Sequence, residues 1–137
     1  MTTKELGNLG EKLACEYIVD KGFKILGKNW RIKLGEIDII AKKRKRFLDF
    51  LKNNQTIHFV EVKALQGLAT QSIRPQDHVN FKKKRKLAQL AQIWLIKNKY
   101  PQNMPYQIDI VAVQVEDGGH EYSIEYFPNA VNGSFKK

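Results

Sequence analysis

The N-terminal part of the chain carries apolar residues at helical spacing. Thr2 and Glu5 have the spacing of a capping box, which predicts that a helix begins near residue 3. Gly22 is the kind of residue at which such a helix ends. The apolar stripe between these two signals consists of Leu6, Leu9, Leu13, Ala14, Tyr17 and Ile18.

Beyond Gly22 the pattern changes to short runs of β-branched and aromatic residues, which predict strands. Residues 76–98 return to helical spacing and predict a second, longer helix. One broad face of that helix carries Val79, Lys83, Leu87, Leu90, Ala91, Trp94 and Leu95. The predicted strands are 23–32, 36–42, 56–63, 106–115 and 121–127, with turns at 34–35 and 117–119.

The order α-β-β-β-α-β-β predicts a single α/β domain, in which helices flank a central mixed sheet. We expect the domain to cover residues 1–128 and residues 129–137 to form a C-terminal tail. The connection 42–55 is long and apolar enough at 47–51 for a helical turn, whereas 64–78 is predicted to be irregular.

Acidic residues interrupt two of the apolar strands. Alternation along a strand predicts that Glu36, Asp38 and Ile40 share one face and that Ile37, Ile39 and Ala41 share the other. Glu61 and Lys63 likewise share a face, about 6.8 Å apart along their strand. If the two strands pair, Asp38 and Glu61 lie side by side.

Two carboxylates about 5 Å apart repel by roughly 3 kcal/mol at an effective dielectric constant of about 20, so something must offset their charge. Mg²⁺ or Mn²⁺ is the simplest candidate, since Mg²⁺ takes one or two carboxylates together with water and phosphate. Lys63 would then assist an attacking water, which completes the parts of a metal-dependent phosphodiesterase. An exposed Glu-x-Lys ion pair and a charged edge strand are the alternative interpretations.

The charge of the chain points to an anionic partner. The 137 residues include 24 Lys and Arg against 14 Asp and Glu, which gives a net charge of +10 and a pI near 9.7. Nucleic acid is the first candidate, and an acidic protein or an anionic membrane surface the alternatives. Predicted nucleic-acid contacts are Lys82, Lys83, Lys84, Arg85, Arg74 and Arg31, and of these Lys83 shares the apolar face of its helix.

Other sequence features bear on the location of the protein in the cell and add no candidate site residues. The single cysteine, Cys15, allows no internal disulfide, which fits a cytoplasmic location. The N-terminus has no apolar segment typical of a secretory signal, and no apolar run has the roughly 18 residues of a membrane span. His58 shares its strand face with Val60 and Val62, so a core or surface histidine is favoured over a metal ligand.

Several sequence blocks together resemble the YraN-type family of small bacterial proteins. The resemblance covers nearly the whole chain and includes Asp109 in the strand 106–115. The blocks are NLGE at 8–11, GFKIL at 22–26, NWR at 29–31, GEIDIIA at 35–41 and FVEVK at 59–63.

The resemblance implies a fold similar to archaeal Holliday-junction resolvases, within the restriction-endonuclease-like PD-(D/E)xK superfamily. It implies that Glu11, Asp38, Glu61 and Lys63 form a metal-dependent catalytic site, to which the Val62 carbonyl contributes. From spacing alone Glu11 is a surface residue at the edge of its helix stripe. Three features depart from the family pattern: Ala64-Leu65 in place of an arginine, Gln107 in place of another, and the length of 42–55.

These observations favour a metal-dependent endonuclease that hydrolyses phosphodiester bonds of double-stranded DNA, with no membrane partner. The resemblance implies that the DNA is branched or structured. A homodimer would suit a symmetric junction. The alternatives are a non-catalytic nucleic-acid-binding module that retains the fold and a scaffold for an acidic protein. The binding module predicts salt-sensitive binding that does not depend on metal.

Overall fold

The order of elements is the predicted one. A computed structural model describes residues 1–44, 55–67, 81–118 and 120–130, apart from the side chains of residues 81 and 82. The elements are α1 (Thr3–Asp20), β1 (Phe23–Ile32), β2 (Gly35–Lys43), β3 (Ile57–Gln66), α2 (Phe81–Lys97), β4 (Tyr106–Val115) and β5 (Tyr122–Phe127).

One five-stranded sheet runs through the molecule in the order β1-β2-β3-β4-β5. Neighbouring strands are antiparallel except β3 and β4, which are parallel. A parallel pair needs a long crossover, and α2 lies in the connection between β3 and β4. The mixed sheet of the predicted α/β domain is thereby confirmed.

Each face of the sheet has its own apolar core. α1 covers one face, where Ala14 and Ile18 pack on Val60 and Val111. α2 covers the other, with the core formed by Ile37, Ile40, Ile57, Phe59, Leu87, Leu90, Ala91, Trp94, Leu95, Ile108 and Ile110. Neither helix, as far as the structure describes them, is long and apolar enough to span a membrane.

The ends of the elements follow local sequence signals closely. Thr2 and Glu5 form the predicted capping box, and Gly22 adopts a φ of 97° just beyond α1, in the region that glycine favours. β3 continues to Gln66, three residues beyond its predicted end. The predicted helical turn at 47–51, the helix residues 76–80 and the end of the tail lie outside the described residues.

The C-terminal segment still contacts the domain just after β5. The backbone N–H of Asn129 donates to Asp109 Oδ1, and Ala130 packs against the α2-side core. These contacts extend two residues past the boundary expected at residue 128.

Small residues bring α1 close to the sheet. The buried positions of α1 are Gly10, Ala14 and Ile18, which recur every fourth residue along one face. A β-carbon placed on Gly10 would lie 2.6 Å from the β-carbon of Ala64 on β3. The helix therefore rests almost directly on the β3 backbone, and this contact carries the neighbouring Glu11 toward the end of that strand.

We expect Gly10→Ala to destabilise the protein although alanine is the better helix former. Overpacking typically costs about 1–3 kcal/mol, against a gain in helix propensity of up to about 1 kcal/mol. Gly7→Ala is the matched control, because nothing lies within 4 Å of a β-carbon there, and it should stabilise the protein. Urea unfolding measures the free energy of unfolding of both single variants relative to the wild type. The same measurement is made on the double variant that combines Gly10→Ala with Ala64→Gly. Equal stabilisation by the two single substitutions would contradict the close contact.

The predicted faces of β2 are wrong at its N-terminal end. Ile37 packs in the α2-side core with Ile40, whereas Ile39 lies in the α1-side core. Opposite this point on β1, Asn29 has a φ of 51° between the register pairs Lys28–Ile39 and Trp30–Ile37. This left-handed residue lies beside the point where the alternation of β2 breaks, between Ile37 and Ile39. Glu36, next to Ile37, consequently does not share a face with Ile40. On β1 the alternation is kept there, since Leu26, Trp30 and Ile32 all pack on the α2 side.

Candidate metal centre

A pocket opens where β2 and β3 stop pairing. Their register runs from Lys42–Ile57 to Ile39–Val60, and the next residues in this register are Asp38 and Glu61. The predicted catalytic residues Glu11, Asp38, Glu61 and Lys63 all line this pocket, although they come from three different elements. Its complete lining is Gly7, Glu11, Glu36, Asp38, Glu61, Val62, Lys63, Ala64, Lys83, Lys86, Leu87 and Leu90.

Asp38 and Glu61 form a buried pair of carboxyl groups, each only 8% exposed. The backbone N–H of Val62 donates to Asp38 Oδ2 at 2.8 Å. Burial, followed by the negative charge of Glu61, raises the pKa of Asp38 from 3.8 to about 8, and a hydrogen bond between the two carboxyl groups adds to this increase. At neutral pH the pair therefore holds a proton, and its repulsion is relieved in that way.

Glu11 reaches the same pocket from α1 but is less tightly enclosed. Burial and the charge of Glu36 raise its pKa, whereas a hydrogen bond from the Asn29 side chain lowers it. Its charge also acts on both Asp38 and Glu61. The close packing of Gly10 on Ala64 is what allows this helix residue to approach the strand carboxylates.

Lysine side chains from two elements balance the acids. Lys63 lines the pocket from β3, and Lys83 and Lys86 line it from the first turns of α2. Lys83 Nζ forms an ion pair with Glu61 Oε2. Lys83, which shares the apolar face of its helix, thus reaches the sheet, and its partner there is a carboxylate of the candidate site.

The donor set suits a hard divalent cation held by two carboxylates. Asp38 and Glu61 offer carboxylate oxygens, which Mg²⁺ and Mn²⁺ prefer, and Mg²⁺ fills its remaining positions with water and substrate oxygens. Among the described residues, no three His, Cys, Asp or Glu side chains are grouped closely enough to hold an ion by themselves. Glu11 therefore belongs to the surroundings of the carboxyl pair, at the distance of a charge interaction.

The structure describes some of the predicted nucleic-acid contacts and not others. Arg31 is 75% exposed and donates two hydrogen bonds to Glu36, at 2.6 and 2.9 Å, so it is held beside the pocket. Lys84 and Arg85 follow Lys83 on α2. Arg74 and the side chain of Lys82 lie outside the described residues.

Two residues near the site were not singled out from the sequence. Asn29 donates to Glu11, and Glu36 lines the pocket and adds a fourth carboxylate. A poor strand former such as asparagine within β1 is a signal of irregular backbone, because the left-handed region tolerates asparagine better than most residues. Glu36 was placed by alternation on the face of Asp38, and it does line the same pocket, but it was not proposed as a site residue.

A third buried acid, Asp109, lies away from the pocket, and both of its carboxylate oxygens accept hydrogen bonds. His58 Nδ1 lies 2.7 Å from Asp109 Oδ2, and Tyr126 also donates to that oxygen. Gln107 donates to Oδ1 at 2.8 Å, and the N–H of Asn129 donates to it at 2.7 Å. His58 is buried, which is one of the two alternatives, core or surface, that the sequence favoured, and Gln107 fills its position with a hydrogen-bond donor to the acid.

Burial opposes the charge on Asp109, but these four hydrogen bonds together lower its pKa below the ordinary value. Burial and the neighbouring charge of Asp109 strongly raise the pKa of Tyr126. Asp109 is therefore an ionised structural acid, in contrast to the proton-sharing pair in the pocket.

The raised pKa of Asp38 predicts how stability depends on pH. Folded protein keeps the proton up to about pH 8, whereas the unfolded chain releases it near 3.8, so stability falls as pH rises between these values. Asp38→Asn resembles the protonated form and should remove this dependence. We expect its Tm at pH 8.5 to exceed that of the wild type by at least about 3 °C. Thermal unfolding from pH 5 to 9 measures this, with exposed Asp117→Asn as control, and parallel pH profiles for wild type and Asp38→Asn would contradict it.

Comparison with known proteins agrees with the resemblance seen in the sequence. A family model described as "Uncharacterised protein family UPF0102" matches residues 10–113. A UPF0102 protein of Clostridium botulinum strain 657 is 37% identical over 127 residues, covering 93% of this chain and 94% of its own. One from Clostridioides difficile is 40% identical over 113 residues, with 82% and 88% covered, and one from Dictyoglomus turgidum is 33% identical over 130 residues, with 95% and 99% covered. The chain belongs to the UPF0102 family, the YraN-type family indicated by its sequence blocks.

Proposed function

We propose that this protein is an endodeoxyribonuclease that depends on Mg²⁺ or Mn²⁺ and cleaves phosphodiester bonds of branched or structured DNA. The observation that carries the proposal is the buried carboxyl pair Asp38–Glu61, in one pocket with Lys63. Two acids at such a position cost stability unless a cation or a proton offsets their charge. A lysine from the same strand, Lys63, lines the pocket with them, which supports a catalytic use of the pair.

Asp38 and Glu61 would hold the ion, with the carbonyl of Val62 as a further oxygen ligand. A bound divalent ion polarises a phosphate and lowers the pKa of a coordinated water. Lys63 orients the attacking water and offsets the negative charge that develops on the phosphate. Glu11 accepts a hydrogen bond from a water at the edge of the site, or contributes to a second ion.

The electrostatics around the pocket support a polyanionic substrate. Lys83 and Lys86 line the pocket from α2, and Lys84 and Arg85 lie between them in the chain. Cations in the first turn of a helix oppose its dipole, so their placement is unfavourable for the helix itself. A phosphate backbone crossing the pocket would provide a compensating partner. The preference for branched DNA rests on the resemblance to junction resolvases.

The alternative is a nucleic-acid-binding module without catalysis. The ion pair between Lys83 and Glu61 favours it, because the carboxyl pair is already neutralised without any metal. This alternative predicts the same salt-sensitive DNA binding with no requirement for a divalent ion.

Strand cleavage assays separate the two functions. End-labelled four-way junction and linear duplex of the same arm sequence are incubated with the protein in Mg²⁺, in Mn²⁺ or in a chelator. The nuclease proposal predicts cleavage of the junction with either metal and none with the chelator. Binding of the junction without cleavage in both metals would contradict it and leave the binding module.

A further inference from the structure

The ion pair between Lys83 and Glu61 places a protein cation on the candidate metal site. Nζ of Lys83 contacts Oε2 of Glu61, one of the oxygens that a metal ion would need. The Glu61 side chain is 10% exposed, so water has little access to it and the ammonium is a principal source of charge compensation. Lys83 itself is 42% exposed and can swing on its flexible stem toward solvent.

A divalent ion and the ammonium cannot occupy this carboxylate together without strong repulsion. Both are cations that seek the same oxygen, and the pocket is partly closed to water, which reduces the screening between them. Binding of the ion therefore requires that Lys83 leave Glu61.

A bound phosphate would offer Lys83 a new partner of opposite charge. Its position in the first turn of α2, at the rim of the pocket, lies on the path by which a phosphate would approach Glu61 and Lys63. Lysine binds phosphate well as a point charge, so the ammonium would exchange a carboxylate for a phosphate oxygen. Both cations are then neutralised when metal and nucleic acid are bound together.

We propose that Lys83 is a built-in competitor of the divalent cation, which weakens metal binding by the free protein and couples it to binding of a phosphate. This inference rests on the proposed metal-dependent function and adds a regulatory role for one residue of the site. Lys83 acts as a positioning and competing cation, whereas Lys63, on β3 beside Glu61, assists the water.

Metal titration of lysine variants tests the competition directly. Mn²⁺ is titrated calorimetrically into the wild type, Lys83→Gln and Lys83→Arg, without nucleic acid. Removal of a competitor that occupies the site most of the time should tighten Mn²⁺ binding by about 5- to 10-fold in Lys83→Gln. Arginine keeps the charge and can bind the carboxylate through two N–H groups, so Lys83→Arg should bind Mn²⁺ no more tightly than the wild type.

Lys97→Gln is the control for net charge. Lys97 lies in the last turn of the same helix, about 21 Å along the axis from Lys83, and is exposed. Its removal changes the charge of the protein equally and should leave Mn²⁺ affinity within about 2-fold of the wild type, because exposed charges at such distances are screened. Circular dichroism and the Tm of every variant verify that each is folded before titration.

The outcomes distinguish this inference from the proposed function. Tighter binding in Lys83→Gln but not in Lys83→Arg or Lys97→Gln supports the competition, including the case in which Lys83→Gln is the one protein of the four that binds Mn²⁺ detectably. If the wild type binds Mn²⁺ and Lys83→Gln binds it equally or less tightly, the competition is refuted and the metal site stands. Absence of Mn²⁺ binding in all folded variants overturns the inference together with the proposed metal dependence.

A second readout follows the coupling to phosphate. Junction affinity of the wild type should increase when Mn²⁺ is added, and the size of this increase should fall in Lys83→Gln, because no ammonium is released toward the phosphate. An equal increase in both proteins would show that metal and nucleic acid do not communicate through Lys83.

Discussion

Asp38→Asn is expected to reduce metal-dependent cleavage by about 100-fold or more, the order of loss found when a main electrostatic contact to a transition state is removed. The amide is nearly isosteric and can still accept from the N–H of Val62 while donating to Glu61. It cannot supply the negative charge that a divalent ion requires. The structure of the pocket should therefore persist while its chemistry is lost.

DNA binding by this variant provides the internal comparison. Removing an acid from the pocket does not weaken its attraction for phosphate, so junction affinity without metal should be unchanged or higher. Asp117→Asn, a change of the same kind in an exposed turn, should leave cleavage unaffected. Equal cleavage rates in Asp38→Asn and the wild type, after identical purification, would mean that Asp38 is not part of the catalytic site.

Asp109→Ala is expected to destabilise the fold by about 3–5 kcal/mol, the range typical of a buried charged partner removed from its network. Asp109 is completely buried and receives hydrogen bonds from three side chains and one backbone N–H. Alanine leaves these buried groups without an acceptor. The corresponding decrease in Tm is about 10–20 °C, measured by thermal unfolding together with urea titration.

Asp109→Asn and Asp117→Ala are the controls for this effect. The side chain of Asp109→Asn keeps one oxygen that can accept hydrogen bonds from Gln107 and from the N–H of Asn129. Asp109→Asn should therefore lose clearly less stability than Asp109→Ala. Asp117 is exposed, and its replacement should change stability by less than about 0.5 kcal/mol. A loss below about 1 kcal/mol in Asp109→Ala would show that the network contributes little.

Asp109 and Asp38, two of the buried acids, illustrate why burial alone does not define a functional site. Asp109 is surrounded by donors, which hold its pKa below the ordinary range. Asp38 has a carboxylate neighbour and a single backbone donor, and its pKa is raised. The first arrangement is complete without any ligand, whereas the second gains from a cation. The pocket is therefore the better candidate for chemistry.

Local sequence signals were sufficient for the elements and their order. The Thr2–Glu5 capping box, the glycine at 22 and the alternation over 106–115 are short-range patterns, and the corresponding elements begin and end close to the predicted residues. The pairing of Asp38 with Glu61 also followed from local information, because adjacent antiparallel strands fix which residues lie side by side.

Features that depend on tertiary packing could not be predicted from the spacing of residues along the chain. Glu11 approaches the site because Gly10 packs on Ala64, a contact between two residues more than fifty positions apart in the chain. The ion pair of Lys83 with Glu61 likewise depends on how α2 lies over the sheet, although its face could be predicted. Alternation along β2 predicted the wrong sheet face for Ile37. The irregular backbone beside it is at Asn29 on the neighbouring strand, which the pattern of β2 itself does not reveal.

The most direct test of the account is calorimetric titration of Mn²⁺ into the wild type and into Glu61→Gln, with Glu125→Gln as a control at an exposed position. The account predicts that the wild type and the control bind the ion with the same affinity and that binding is lost in Glu61→Gln. Binding that survives in Glu61→Gln, or no binding by the wild type with or without junction DNA, would contradict the assignment of the carboxyl pair as a metal site.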